Sequence, residues 1–386
     1  MGSPISSFFC PTRIYMGASS HRELPGLLAE FRCQRLFLAM DAALRETEFA
    51  KSLLALLNEA KIAVSIFIEI EPDPSAFTVE KAFVQSRAHN PDVILAVGGG
   101  STIDVAKAVA ILSTNGGRIH DYEGIERFNI PPLPLIAVPT TAGTGSEVSG
   151  SCVITDTEKQ LKMSIRHASL NPARIAILDP LALRTIPPTV ACHAGLDAFV
   201  HAFESFISRN ANPFTDAINL EAIALISVNL RPFVANPANE HAALKMLCGS
   251  ALAGMTFGQT GLGNVHCMAR FVGARFHLPH GLSNALCLPT VARFNMIANP
   301  AKYAKVAKAM GCDVAYRSDL DAARAAVDAI AELCLDLGIP PRLLDAGVTE
   351  DSIEEMARLC TEANYNRWNP RLTSTADFIS LFRQAY

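Results

Sequence analysis

The sequence lacks the patterns that are typical of nucleic-acid-binding, membrane and secreted proteins. Its lysines and arginines form no basic run, and its net charge is only −4, so it has no electrostatic footprint for nucleic acid. No apolar run reaches the roughly 18 residues of a membrane helix. The first residues contain no basic region followed by an apolar stretch, so we expect no signal peptide and no membrane partner.

Paired cysteines are also missing. The ten cysteines are scattered through apolar segments, and none forms a CxxC motif. This pattern indicates reduced thiols in a cytoplasmic protein rather than a disulfide framework. What the chain has is length and apolar content, since half of its 386 residues are hydrophobic and 18% are charged. We therefore expect two or three well-buried domains.

The first half of the chain alternates apolar runs with helical patterns. The runs cover residues 35–40, 64–70, 93–97 and 133–138, and helical patterns cover, for example, residues 21–31 and 79–89. Such alternation predicts a parallel sheet with helices on both faces. We expect an N-terminal, Rossmann-like α/β domain over residues 1–184.

The second half has a different character. After about residue 187 the β-branched runs thin out, and alanine, leucine and methionine dominate long segments. Amphipathic helices are predicted over residues 319–337, which end before Gly338 and Pro340, and over residues 352–361. We expect an all-helical domain over residues 185–386, with the boundary in the proline-containing segment 178–188.

A glycine-rich loop follows the third apolar run. It consists of Gly98, Gly99, Gly100 and Ser101. Glycines let backbone amides approach a phosphate, and the start of a helix, expected near Thr102, favours an anion. Ser101 and Asp104 also form an S-x-x-D capping pair. A capped turn without a ligand would show the same pattern, and the GxGxxG fingerprint of dinucleotide-binding folds is missing.

Two further features suggest a nucleotide. The segment PTTAGTGS (139–146) follows the fourth run, and its hydroxyls and glycines could hold a ribose or a phosphate. A polar turn would look similar. Asp41 closes the first run, where a carboxylate can bind a ribose diol and repel a 2′-phosphate, which favours NAD over NADP. A helix-capping aspartate is the alternative.

One carboxylate and three imidazoles make a candidate metal site. The residues are Asp197, His201, His266 and His280. Asp197 and His201 are spaced i, i+4, so on a helix both leave the same face. This ligand set suits a borderline divalent ion such as Fe²⁺ or Zn²⁺. Each residue alone has an ordinary structural explanation; the four together favour a metal. His193 and His277 are noted because both lie close in sequence to these residues.

Four motifs carry a family resemblance. They are GGGSTIDVAKAVA (98–110), PTTAGTGSEVS (139–149), GLDAFVHAFES (195–205) and the GLGNVH…LPHGLSNALCLP stretch (261–289). In order and spacing they resemble the iron-containing, or group III, alcohol dehydrogenases. The resemblance implies an α/β plus all-α fold of the dehydroquinate synthase-like architecture. It also implies an active site in a cleft between the domains, and a homodimer as the usual minimum assembly.

The resemblance also implies roles for single residues. Asp197, His201, His266 and His280 look like the metal ligands. The pyrophosphate would be contacted by Gly98, Gly99, Gly100 and Ser101, with Asp104 nearby. The second loop would contact the cofactor through Thr140, Thr141 and Ser146. Asp41 looks like the contact to the adenosine ribose, Asp73 like a further adenosine-side contact, and Lys162 like the lysine that reaches the cofactor.

The chain departs from the family pattern at Arg270. Many members carry a histidine four residues after the third ligand, thought to assist proton transfer, whereas this chain reads VHCMARFVG, with Phe271 in place of the usual proline. An arginine cannot exchange protons near neutral pH. Arg270 could pair with an anionic group on the substrate or form a structural ion pair. In the first case the proton must leave through His277 or a water chain.

The resulting hypothesis is a metal-dependent, NAD(P)-linked alcohol dehydrogenase or aldehyde reductase. The nicotinamide exchanges a hydride with a small alcohol or aldehyde, and the metal polarises the reacting oxygen. Two alternatives stay open. One is a lyase of the dehydroquinate-synthase type, and the other is a non-catalytic metal- or nucleotide-binding protein.

Overall fold

The computed structural model describes residues 6–159 and 161–386. The chain forms two compact units. The α/β unit comprises Phe9–Ile186 and Pro237–Leu247, and the helical unit comprises Pro187–Asn236, Cys248–Tyr386 and the described part of Met1–Phe8. The predicted boundary between residues 184 and 185 lies beside the junction at Ile186, but the sequence reading did not include the return of Pro237–Leu247 to the α/β unit.

Two sheets form in the α/β unit. Their strands, in the described residues, are β1 (Arg13–Met16), β2 (Arg35–Met40), β3 (Ala63–Phe67), β4 (Val93–Gly98), β5 (Gly124–Ile125), β6 (Leu135–Pro139), β7 (Ser151–Asp156), β8 (Leu161–Arg166) and β9 (Ile175–Leu178). The main sheet has six parallel strands in the order β1-β9-β6-β4-β2-β3. In the smaller sheet, β8 pairs antiparallel with β7 and parallel with β5.

The central strands of the main sheet are apolar throughout. Every residue of β4, β6 and β9 is buried, as expected for parallel strands covered on both faces. The predicted parallel sheet is therefore confirmed. The run predicted over residues 64–70 ends earlier, at Phe67. The run predicted from residue 133 begins at Leu135, because Pro134 cannot donate a ladder hydrogen bond.

The helices of the α/β unit follow the predicted alternation. They are α1 (Leu24–Glu30), α2 (Glu48–Glu59), α3 (Ala76–His89) and α4 (Gly100–Asn115). Short 3₁₀ helices lie at Ser20–Glu23, Ala42–Leu44, Ile119–Tyr122 and Pro180–Leu183. Helix α4 is buried along most of its length, because its apolar residues pack into the core formed by β2, β4 and β6.

Helices make up the second unit. They are α5 (Pro188–Ile207), α6 (Pro213–Ala235), α7 (Glu240–Thr260, whose first residues belong to the α/β unit), α8 (Asn264–Phe276), α9 (His280–Asn295), α10 (Pro300–Ala309), α11 (Asp319–Asp336), α12 (Ile353–Glu362) and α13 (Thr375–Ala385). Short 3₁₀ helices lie at Met296–Ala298, Leu344–Ala346, Glu350–Ser352 and Asn364–Arg367. Helices α11 and α12 confirm the two segments predicted from the amphipathic pattern.

Helix α6 contains the most apolar stretch of any long helix in the described part of the chain. By length and composition alone it could cross a membrane, with a mean hydropathy of 1.3 over its most apolar window, although 44% of that window is buried inside the protein. The sequence reading found no such segment because polar residues such as Asn219 and Ser227 interrupt the apolar run. Both side chains are buried in the helical unit, and a core helix passes the same test.

Candidate active site

The two predicted cofactor loops lie side by side. They follow β4 and β6, which are neighbours in the parallel sheet, and Thr140 N donates to Gly98 O at 3.1 Å. A Cβ atom on Gly100 would lie only 2.8 Å from the Thr144 side chain, and one on Gly99 would lie 3.3 Å from the Thr141 side chain. The glycines therefore allow a close approach of the two loops. Ligands of open α/β sheets bind at this carboxyl edge.

The predicted capping pair of Ser101 and Asp104 is wrong. Helix α4 begins at Gly100 rather than near Thr102, and its N-cap is Gly99, without a side-chain cap. Asp104 instead accepts hydrogen bonds from Ser146 Oγ at 2.5 Å and from Val153 N at 2.9 Å. Burial raises the pKa of Asp104. The first amides of α4 are left without a side-chain cap, as an anion site requires.

The remaining predicted cofactor residues lie on the same unit. Asp41 follows β2, and its side chain accepts from Ala43 N at 2.9 Å, which caps a short 3₁₀ helix. The alternative role considered for Asp41 is thus present in the structure. Lys162 Nζ lies 2.7 Å from Asp73 Oδ1, and both side chains are about half exposed or more. The structure thus brings together, as an ion pair, the predicted adenosine-side contact Asp73 and the lysine predicted to reach the cofactor.

In the helical unit, three of the four predicted ligands form a compact buried cluster. Ligand atoms of Asp197, His201 and His266 all lie within 4.8 Å of one another. His280 adjoins this group, with Nε2 at 3.5 Å from Asp197 Oδ1, but its side chain is 51% exposed. Asp197 and His201 lie one turn apart on α5, as the spacing predicted. We call the four residues the ligand cluster.

Backbone contacts fix where the ligand cluster forms. His266 is in the first turn of α8, and His280 is the first residue of α9. A Cβ atom on Gly281 would lie 2.1 Å from His193 O on α5. Only a glycine lets α9 start this close to α5, so Gly281 determines the position of the adjacent His280.

Asn284 contacts three members of the ligand cluster. Its Nδ2 donates to Asp197 Oδ1 at 2.8 Å and lies 3.3 Å from His266 Nε2 and 3.2 Å from His280 Nε2. Its Oδ1 is buried without a hydrogen-bond partner among the described residues. Converging ligand atoms and an orphaned acceptor beside them fit a bound cation, and the carboxylate–imidazole set suits Fe²⁺ or Zn²⁺.

The charge states of the ligand cluster also suit a cation. Burial opposes ionisation of Asp197, but the three histidines and Asn284 outweigh it and hold the pKa of this carboxyl below its usual value. Burial, together with repulsion from His201 and His280, lowers the pKa of His266 far below its usual value. The cluster therefore offers an ionised carboxylate and at least one neutral imidazole, the forms in which metals are bound.

Glu204 is a residue of this site that sequence reasoning missed. It lies on the Asp197 and His201 face of α5, and its Oε2 is 2.7 Å from His266 Nδ1. Burial raises its pKa to about 7, opposed by hydrogen bonds from the backbone at the start of α8. The signal in the sequence was an acidic residue in a largely apolar helix, three residues after His201 and seven after Asp197.

Arg270 has no carboxylate partner among the described residues. It lies one turn after His266 on α8 and is exposed, and among residues 6–159 and 161–386 no ion pair involves its guanidinium. Arg275 on the same helix, by contrast, pairs with Glu355. The structural ion pair considered for Arg270 is thus not found in the described part of the chain. His277 is exposed at the end of α8 with φ of 54°, and burial lowers the pKa of His193.

Comparison with known proteins agrees with these features. Residues 11–180 match the model of the iron-containing alcohol dehydrogenases, and residues 191–386 match the C-terminal model of the same family. The 1,3-propanediol dehydrogenase of Klebsiella pneumoniae is 41% identical over 362 residues, 92% of this chain and 93% of that protein.

Two solved structures are similar along almost the whole chain. A crystal structure of a 1,3-propanediol oxidoreductase has a TM-score of 0.95 and 38% identity, and covers 99% of this chain and 100% of its own. The sulfoacetaldehyde reductase of Bifidobacterium kashiwanohense, solved with NAD⁺, has a TM-score of 0.89, 26% identity and 99% coverage of both chains.

These matches confirm the predicted fold class, an N-terminal α/β part with a helical C-terminal part. They also confirm the predicted activity, a metal-dependent and nicotinamide-linked alcohol dehydrogenase or aldehyde reductase, over the lyase and the non-catalytic alternatives. The chain belongs to the iron-containing alcohol dehydrogenase family.

Proposed function

We propose that this protein transfers a hydride between NAD and a small alcohol or aldehyde that carries an anionic group. The observation that carries the metal-dependent part is the ligand cluster, a buried carboxylate surrounded by histidines. Asp197, His201, His266 and His280 would hold Fe²⁺ or Zn²⁺. When bound, the ion supplies Lewis acidity that lowers the pKa of an alcohol or polarises a carbonyl.

The chain's own residues prepare this site. Asn284 orients the Asp197 carboxylate through a 2.8 Å hydrogen bond, and burial keeps His266 neutral. Apolar side chains around Asp197 on α5 exclude water. A dry, fixed arrangement of ligands favours the chemical step because little has to reorganise during reaction.

We assign the cofactor to the two loops of the α/β unit. The free amides at the start of α4 and the backbone of Gly98, Gly99 and Gly100 would hold the pyrophosphate. Thr140 and Thr141 would contact the cofactor from the second loop, while Ser146 and Asp104 brace that loop through their mutual hydrogen bond. Asp41 would bind the adenosine ribose, which favours NAD over NADP.

Asp73 and Lys162 complete the proposed cofactor site, Asp73 on the adenosine side and Lys162 as the lysine that reaches the cofactor. Their ion pair is exposed, so either partner can exchange the other for a cofactor group at little cost. Under the same proposal, His277 or water carries the proton that Arg270 cannot transfer. His277 is exposed and can reach solvent.

Arg270 supports an anionic substrate. A guanidinium without a carboxylate partner is free to bind a carboxylate, sulfonate or phosphonate, often through two hydrogen bonds. The similarity to a sulfoacetaldehyde reductase adds support, because that protein's named substrate bears a sulfonate.

A paired substrate assay tests this proposal. Protein loaded with Fe²⁺ or Zn²⁺ is assayed with NAD and NADP on 2-hydroxyethanesulfonate and on neutral 1,3-propanediol. We expect Arg270→Ala to lower kcat/KM for the sulfonate about 10- to 100-fold, the loss for one or two charged hydrogen bonds. The loss for the diol should stay within about 3-fold, since it forms no such bond.

Arg275→Ala is the matched control, since it removes the same charge from the same helix. Equal losses on both substrates would reject a substrate role for Arg270. No reduction of NAD or NADP by the wild type on any alcohol would reject the activity itself.

We also propose a cytoplasmic homodimer or higher homo-oligomer. All ten cysteines are free in the structure, which supports a reducing compartment. The proposed oligomer rests on the family.

A further inference from the structure

Glu204 joins two helices of the helical unit. It extends from α5 and its Oε1 accepts from Val265 N at 2.7 Å, while its Oε2 contacts His266 Nδ1 at 2.7 Å. Glu204 is only 2% exposed. A buried carboxylate is costly unless its oxygens are satisfied, and both oxygens of Glu204 have partners.

Gly263 makes this contact possible. A Cβ atom on Gly263 would lie 3.0 Å from Glu204 Oε1 and 2.9 Å from Asn369 Oδ1. Two acceptors from other parts of the chain thus satisfy the first amides of α8, because Gly263 has no side chain to do so.

The contact with His266 selects one tautomer. Both oxygens of Glu204 already accept hydrogen bonds from backbone amides, Oε1 from Val265 N and Oε2 from His266 N at 3.4 Å. A carboxylate held as an acceptor in this way also accepts from His266, so Nδ1 carries the ring proton. The lone pair then lies on Nε2, the nitrogen that faces Asp197 Oδ1 at 3.7 Å and Asn284 Nδ2 at 3.3 Å. The other tautomer would place a proton on the nitrogen that faces the ligand cluster.

We propose that Glu204 is a positioning residue that holds His266 in the Nδ1–H tautomer and thereby sets the affinity of the ligand cluster for its metal. The proposal rests on the metal site of the proposed function. Partners that hold a ligating imidazole in this way typically change metal affinity by about 10- to 100-fold.

Glu204→Gln tests the proposal with little change of shape. The glutamine oxygen can still accept from Val265 N, but its amide can donate to Nδ1, which places the His266 proton on Nε2. The ring nitrogens of metal-free, ¹⁵N-histidine-labelled protein are followed by NMR, with His266 assigned through His266→Asn. Zn²⁺ affinity is measured by competition with a chelating dye.

We expect Nδ1–H in the wild type, Nε2–H in Glu204→Gln, and Zn²⁺ affinity about 10- to 100-fold weaker in the variant. Asn369→Ala is the matched control. It removes the other acceptor at the start of α8 without contacting His266. It should lower thermal stability but leave the tautomer unchanged and the Zn²⁺ affinity within about 3-fold of wild type, because no ligand's partner is lost.

Two results would overturn the proposal: a wild-type His266 protonated on Nε2, or a Glu204→Gln variant that binds Zn²⁺ as tightly as wild type. A wild type that binds no Zn²⁺ would instead reject the proposed metal site. The tautomer measurement needs no metal, so it separates the two failures.

Discussion

Each unit of the protein buries a cluster of charged side chains, and the two clusters balance their charge differently. In the α/β unit the Lys107 ammonium is 1% exposed and donates to Ser149 O at 2.9 Å and Ser151 O at 2.7 Å. It attracts the carboxylates of Asp104 and Glu147. This cluster contains its own cation.

In the helical unit, the carboxylate of the ligand cluster has no lysine or arginine partner among the described residues. In the described residues, Asp197 and Glu204 form ion pairs only with histidines, and burial, with repulsion from the neighbouring histidines, keeps His266 neutral. Buried carboxylates need a compensating positive charge. The difference teaches that the first cluster is balanced by a cation of the chain itself, whereas the second leaves its carboxylates to be balanced by an added cation, as the proposed metal site requires.

Asp197→Asn should have the largest effect on the difference between the two clusters. It keeps the shape of the side chain but removes the carboxylate at the centre of the ligand cluster. We expect metal affinity to fall more than about 100-fold, beyond the effect of losing an outer partner, and NAD-linked alcohol oxidation to disappear. Metal content after dialysis, by mass spectrometry, measures the loss.

Asp336→Asn is the control, since it removes an exposed charge that pairs with Arg231. An Asp197→Asn protein that keeps its metal through dialysis would contradict the assignment.

Lys107→Met should affect stability rather than metal. It leaves Asp104 and Glu147 buried without their cation and two carbonyl groups without a donor. Each buried acceptor left without its donor costs about 1–3 kcal/mol, so the free energy of unfolding should fall by at least that amount. Urea unfolding followed by circular dichroism measures the free energy of unfolding, with the exposed Lys305→Met as control. Unchanged stability would show that the cluster is not held together by this lysine.

Gly100→Ala should have the smallest effect, and it tests whether the loop at Gly100 binds the cofactor. The added methyl group would meet the Thr144 side chain at 2.8 Å. Overpacking of this kind costs about 1–3 kcal/mol, so we expect NADH to bind about 10-fold more weakly in a fluorescence titration. Gly26→Ala meets no atom within 4 Å and should bind as wild type does. Equal affinities of the two variants would argue against a phosphate site at Gly100.

The sequence predicts features that depend on local pattern. Continuous apolar runs identified β2 and β4 because buried parallel strands are apolar on both faces. The i, i+4 spacing placed Asp197 and His201 on one face of a helix, as observed on α5. Strands β1, β7 and β8 went unnoticed because their exposed residues interrupt the apolar signal.

Features that depend on distant partners were missed. The S-x-x-D pattern predicted that Asp104 would pair with Ser101, but its partner is Ser146, 42 residues away. Glu204 was missed for the same reason, since His266 is 62 residues away. Local spacing carries no information on such contacts, which form only when the helices and strands pack.

Gly281 lets the backbones of α5 and α9 come into direct contact. The first turn of α9 rests against a backbone carbonyl of α5, so the approach of these two helices does not depend on a side-chain rotamer. The separation of the two helices that carry Asp197 and His280 is therefore set by main-chain atoms, and replacing Gly281 would shift His280 without changing any ligand.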